Sequence, residues 1–113
     1  MKQIYGRAYV RGSIEDDTLI TIDGGAIAAV TQTRDVPRHA ERTASLIVPG
    51  FIDLHIHGGD GADLMDSDER ANARILNFHA RHGTTALMAT TLTGSVAALQ
   101  SPVAAMLSTA GWM

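Results

Sequence analysis

The sequence predicts an α/β chain in two parts, and three observations predict it. Residues 1–48 alternate apolar and polar side chains with period two between glycine-rich turns. Residues 51–57 alternate in the same way but carry two histidines, and between Asp66 and Gly83 the apolar spacing lengthens to that of a helix. The expected domains are therefore 1–48, all β, and 49–113, in which strands and helices take turns.

In the first part, Ile4, Ala8 and Val10 alternate with Tyr5, Arg7 and Tyr9, as in a half-buried strand. Thr18 to Ile22 and Ala26 to Thr31 are short apolar runs on either side of Asp23-Gly24-Gly25. That is a hairpin signal, because tight hairpin turns need positive φ. A phosphate loop at Gly24-Gly25 is not supported: no helix start follows and no Lys-Ser/Thr completes it. Thr33 to Ser45 is polar, contains Pro37 and His39, and reads as a loop. Leu46-Ile47-Val48 is a third apolar run, stopped by Pro49-Gly50.

From Pro49 the expected order is strand, helix, strand, helix. The first strand is 51–57, with a loop through Asp66. Asp66 as N-cap with Glu69 three residues on is a carboxylate form of the capping box. Ala71, Ile75, Phe78 and His82 then recur at helical spacing up to a stop at Gly83. Thr84 to Thr91, threonine-rich around an apolar centre, reads as the second strand. Ser101 as N-cap and Pro102 at the first helical position predict a last helix from 102 to about 109.

Composition narrows the function classes. A chain with 45% hydrophobic and 19% charged residues is ordinary for a globular domain. Formal net charge is −3 and the arginines are scattered, so nothing points to nucleic acid or an anionic membrane as partner. There is no cysteine, which excludes disulfides and thiolate ligands. The start lacks a signal-peptide core and no apolar run approaches a membrane span, so a cytoplasmic location is expected. No Gly-x-Ser-x-Gly occurs, leaving serine hydrolysis unsupported and metal-assisted hydrolysis as the chemistry to consider.

That chemistry centres on Pro49-Gly50-Phe51-Ile52-Asp53-Leu54-His55-Ile56-His57-Gly58-Gly59. Strand alternation puts Asp53, His55 and His57 on one face and Ile52, Leu54 and Ile56 on the other, the face expected to lie under helices. The histidine Cα atoms are then roughly 6–7 Å apart, close enough for both rings to reach one metal ion. Asp53 either orients a histidine or bonds the nearby backbone. Gly58, Gly59 and Gly61 either admit a ligand closely or serve a turn. His79 and His82 are neighbours on a helix surface but have no third ligand, and read as solvent-facing. The acidic run Asp60, Asp63, Asp66, Asp68 and Glu69 lacks the spacing of a calcium loop, and capping explains most of it.

The segment Val48 to Gly59 resembles the first barrel strand of the amidohydrolase superfamily. Gly58-Gly59-Asp60-Gly61-Ala62-Asp63-Leu64-Met65-Asp66 and His82-Gly83-Thr84-Thr85-Ala86-Leu87-Met88-Ala89-Thr90-Thr91 resemble the N-acetylglucosamine-6-phosphate deacetylases within it. The resemblance implies a small β-sandwich (1–48) followed by the start of a (β/α)8 metal-dependent hydrolase barrel (49–113). It also implies His55 and His57 as ligands of a divalent ion, zinc being expected, with one or two ions in the full-length parent. The substrate implied is an amino-sugar phosphate, and the parent a homo-oligomer. Such a barrel needs roughly 250 residues, so the chain is expected to be an amino-terminal fragment. Its general base and remaining ligands would lie beyond Met113, and by itself it would be inactive. Two alternatives stay open: another amidohydrolase (a cyclic-amide hydrolase or deaminase), or a non-catalytic fragment that complements a partner chain.

Overall fold

The computed structural model describes residues 1–109, in two compact units, Met1–Pro49 and a second that begins at Gly50.

The first unit is a four-stranded sheet of β1 (Lys2–Val10), β2 (Ser13–Asp23), β3 (Ala26–Gln32) and β4 (Glu41–Arg42), in the order β3-β2-β1-β4. Both hairpin turns use two residues at positive φ, Arg11 and Gly12 at 51° and 93°, Gly24 and Gly25 at 56° and 80°. That matches the right-handed twist of the strands they join. β2 is longer than its apolar run, because its first half is the polar Ser13-Ile14-Glu15-Asp16-Asp17. Within it, Gly6 faces Thr18 while Ala8 faces Glu15, so β2 holds one extra residue there, and Asp17 sits at φ 53°. The Asp17 carboxylate accepts from the Tyr5 hydroxyl at 2.6 Å and from Arg34 at 3.2 Å. These bonds, Tyr5 first, hold Asp17 below the usual carboxylate range, and the same bond raises Tyr5 above its ordinary value.

Leu46-Ile47-Val48 is not a strand. Ile47 alone bridges to Ala8, and the paired segment is Glu41–Arg42 inside the expected loop. Pro49, which has no N–H, cannot carry the pairing further. Glu41–Arg42 is fixed instead by its contacts with β1: Lys2 pairs with Glu41 at 3.1 Å, and the Arg42 guanidinium lies over the Tyr5 ring.

In the second unit β5 (Phe51–Ile56) runs parallel to β8 (Thr84–Ala89). Between them come a hairpin of β6 (Gly58–Gly59) and β7 (Ala62–Asp63), a single 3-10 turn (Leu64–Asp66) and α1 (Glu69–Arg81); α2 (Val96–Thr109) follows β8. The core is Ile56, Leu64 and Ile75, with Ala62, Leu87 and Met106 against it. Asp60-Gly61 turns the hairpin at φ 54° and 74°, an Asp-Gly turn inside the expected loop.

The capping residues shift by one element. Asp63 caps the 3-10 turn and Asp66 completes that box by accepting from Asp63 N, whereas α1 is capped by Asp68. Ser67 at φ 57° separates the two, so Asp66 cannot begin α1. The last helix starts at Val96 and places Pro102 in its interior, not at its first position. The Ser95 carbonyl accepts from Ala98 and Leu99, which nucleates the helix early enough to pass the proline. Downstream, the buried Asn72 of α1 donates to the Ala105 carbonyl and the Thr109 hydroxyl, tying α2 to α1 beyond the bond the proline removes.

Helix cover on the aliphatic face of β5 is also partial. Ile56 is buried, yet Ile52 and Leu54 are each 67% exposed, because Ile75 of α1 reaches only the strand's last residue.

Candidate metal centre

Strand pairing is irregular where the histidines lie. Asp53 faces Leu87 and Ile56 faces Ala89, so three steps on β5 match two on β8. An extra residue of this kind bends a strand and re-aims its side chains. The His55 N–H is left outside the ladder and donates to Asp53 Oδ1 at 3.1 Å. Of the two roles open to Asp53, the structure shows the backbone one.

His55 and His57 converge. Their Nε2 atoms are 3.1 Å apart and the rings meet at 90°. Two nitrogens of a tetrahedral ion with bonds of ~2.0–2.1 Å lie about 3.3 Å apart. The pair therefore fits one edge of such a sphere. Among the described residues no group of three or more His, Cys, Asp or Glu could complete it.

The main chain sets the proton position of one ring. His57 Nδ1 is 3.0 Å from the Thr90 carbonyl, which can only accept. His57 thus carries its proton on Nδ1 and presents a lone pair at Nε2, the form a metal needs. The 3.1 Å contact itself does not assign the proton of His55 to either ring nitrogen. Thr90 is anchored in turn by its N–H, which donates to the Ile56 carbonyl at 2.9 Å.

His57 has two further supports that sequence reasoning missed. Its carbonyl accepts from Leu64 N at 2.8 Å. His79 is half-buried and donates from Nε2 to the Gly58 carbonyl at 3.1 Å, while His82 donates from Nδ1 to Phe78 at 2.7 Å. The helical histidines are thus committed to backbone carbonyls. The signal for His79 was its place one turn beyond Ile75 on the core-facing side, which spacing could have supplied. Thr90 stands at the end of the threonine-rich second strand expected from the sequence, but only its main chain is used, so its side chain carries no signal. The space beside Gly58 and Gly59 is filled by the protein: a Cβ on Gly58 would strike the Ala62 carbonyl, and one on Gly59 would meet Phe78 at 2.9 Å.

No protein-family model matches the chain. It is 31% identical over 93 residues to the N-acetylglucosamine-6-phosphate deacetylase of Vibrio furnissii, covering 80% of this chain and 23% of that enzyme. The chain is homologous to N-acetylglucosamine-6-phosphate deacetylases. An N-acetylgalactosamine-6-phosphate deacetylase of Escherichia coli O157:H7 is 33% identical over 87 residues, covering 76% of this chain and 22% of that one. The chain thus spans less than a quarter of the length of these curated relatives. In fold it matches the N-acetyl-D-glucosamine-6-phosphate deacetylase of Mycobacterium smegmatis, with a TM-score of 0.84 at 23% identity over 94% of this chain and 31% of that one. A variant of that deacetylase in complex with N-acetyl-D-glucosamine-6-phosphate gives a TM-score of 0.79 at 24% identity, over 93% of this chain and 28% of that one.

Proposed function

We propose that this chain supplies the first metal-binding strand of an enzyme that deacetylates N-acetylglucosamine 6-phosphate, releasing acetate and glucosamine 6-phosphate. The observation that carries the reading is the 3.1 Å approach of His55 Nε2 and His57 Nε2, in a chain homologous to those deacetylases. On this reading β5, α1 and β8 are the opening units of a (β/α)8 barrel, the parallel pairing of β5 with β8 across a helix being its repeating step. Residues 1–48 are then part of a small β-sandwich.

His55 and His57 would hold a divalent ion, zinc being the natural choice for two imidazoles in a hydrolase. Bound there, such an ion lowers the pKa of its water towards 7 and polarises the acetamide carbonyl. The chain's own residues prepare the place. Thr90 keeps the proton on His57 Nδ1, Asp53 takes up the His55 N–H, and Leu64 holds the His57 main chain. To join His57 as a ligand, His55 would present Nε2 with its own proton on Nδ1.

The test is turnover by the full-length parent, with and without chelator, read as acetate release from N-acetylglucosamine 6-phosphate and N-acetylgalactosamine 6-phosphate and as ring opening of a dihydropyrimidine. Chelator-sensitive turnover of the glucosamine compound, greater than of the other two, is expected. Preference for the galactosamine compound would move the specificity within the deacetylases. Turnover of the cyclic amide alone would overturn the reading.

A further inference from the structure

We infer that His79, on α1, is a positioning residue for the histidine pair: by holding the Gly58 carbonyl it fixes the chain immediately after His57 and so keeps that ring on Thr90. This rests on the metal reading above and adds a residue to it that spacing alone assigned to the solvent.

His57 is followed by two glycines, the residues with the widest backbone freedom. Left to itself, that exit would let the His57 ring swing, and its Nδ1–H would exchange Thr90 for water. Besides the pairing of Gly58 and Gly59 with Asp63 and Ala62, three bonds oppose this among the described residues, and in one of them the partner group is a side chain. Leu64 N holds the His57 carbonyl, Thr90 O holds the ring, and His79 Nε2 holds the next carbonyl at 3.1 Å. His79 is itself well placed to act as a fixed post. It stands one turn beyond Ile75, which is fully buried at 0% exposure in the core with Ile56 and Leu64. Its ring packs edge-on against Phe78, and both rings crowd the position of a Cβ on Gly59, at 2.9 Å and 3.1 Å. A rigid helix thereby reaches the residue beside a ligand through a single N–H. Losing a partner that bonds the ring of a metal-binding histidine typically costs ~10–100-fold in metal affinity, and His79 acts on the same ring through the adjoining main chain.

Two readouts on the 15N-labelled chain test the inference. Long-range proton–nitrogen correlation spectra report the tautomer of each histidine without any metal, and the visible absorption of added Co2+ reports affinity. His79→Phe keeps the ring's bulk but has no donor; His79→Gln returns an N–H at similar reach. The expected result is a single Nδ1–H form of His57 in the wild type and a mixture in His79→Phe. Co2+ affinity should fall ~10–100-fold in His79→Phe and be largely recovered in His79→Gln, with all three chains equally folded by circular dichroism. If His79→Phe keeps the wild-type tautomer and affinity, the inference is overturned. It is also overturned if both variants lose affinity only in step with a lowered melting temperature. A full-length parent that binds no Co2+ would sink the metal reading, while the tautomer spectra would still decide whether His79 orders His57.

Discussion

His57 is held by three separate parts of its unit: the end of β8 through Thr90, the turn at Leu64 and helix α1 through His79. His55, two residues earlier on the same strand, is supported among the described residues by near neighbours in sequence, Asp53 on its backbone N–H and the His57 ring on its own ring. On the proposed reading one ring is therefore held firmly in the tautomer a metal needs, and the other is the more adjustable. A pair built this way has a definite geometry before an ion arrives, yet can yield on one side as the sphere fills. The difference also explains why His-x-His is a spacing signal only. The spacing brings the rings to one face, and residues distant in sequence decide which ring is rigid.

The largest effect should come from the fixed ligand. His57→Ala is expected to lower Zn2+ or Co2+ affinity by at least the ~100-fold upper end of what losing an outer partner costs, and His55→Ala by less. Titrations on the two variants would measure this, and equal losses would break the comparison. Next comes the post behind His57. Ile75→Ala empties the centre of the core and should destabilise the second unit by about 2–5 kcal/mol in denaturant unfolding. In whatever folded population remains, the spectrum of the His57 ring should broaden while that of His55 changes little. The smallest effect is expected on the adjustable side. Asp53→Ala removes one hydrogen bond from a partly exposed strand end, worth roughly 0.5–1.5 kcal/mol. Metal affinity should drop severalfold at most; a drop as large as that of His57→Ala would show that His55 is the rigid ligand after all.

Much of this was legible in the sequence because it depends on short-range patterns. Two-residue alternation reveals β1 and β5, Gly24-Gly25 marks the turn between β2 and β3, and Ala71, Ile75 and Phe78 outline the buried side of α1. What escaped was set by long-range pairing or by main-chain atoms. The strand at Glu41–Arg42 is polar and exists through its contacts with β1. Asp66 and Asp68 are equally good caps in composition, and only the φ of Ser67 assigns them to different helices. Pro102 argued for a late helix start, and the start is early because Ser95 supplies the first acceptors. At the site, His55, His57 and Asp53 were readable from spacing. Thr90 was not, since any residue has a carbonyl there.

The most direct test of the account is X-ray absorption at the zinc edge of the loaded chain, beside the same measurement on the His55→Ala, His57→Ala double variant. The account predicts two imidazole nitrogens at ~2.0–2.1 Å per zinc in the wild type and loss of their ring scattering in the variant. Zinc bound in the wild type through one imidazole or none, or an unchanged spectrum in the double variant, would contradict it.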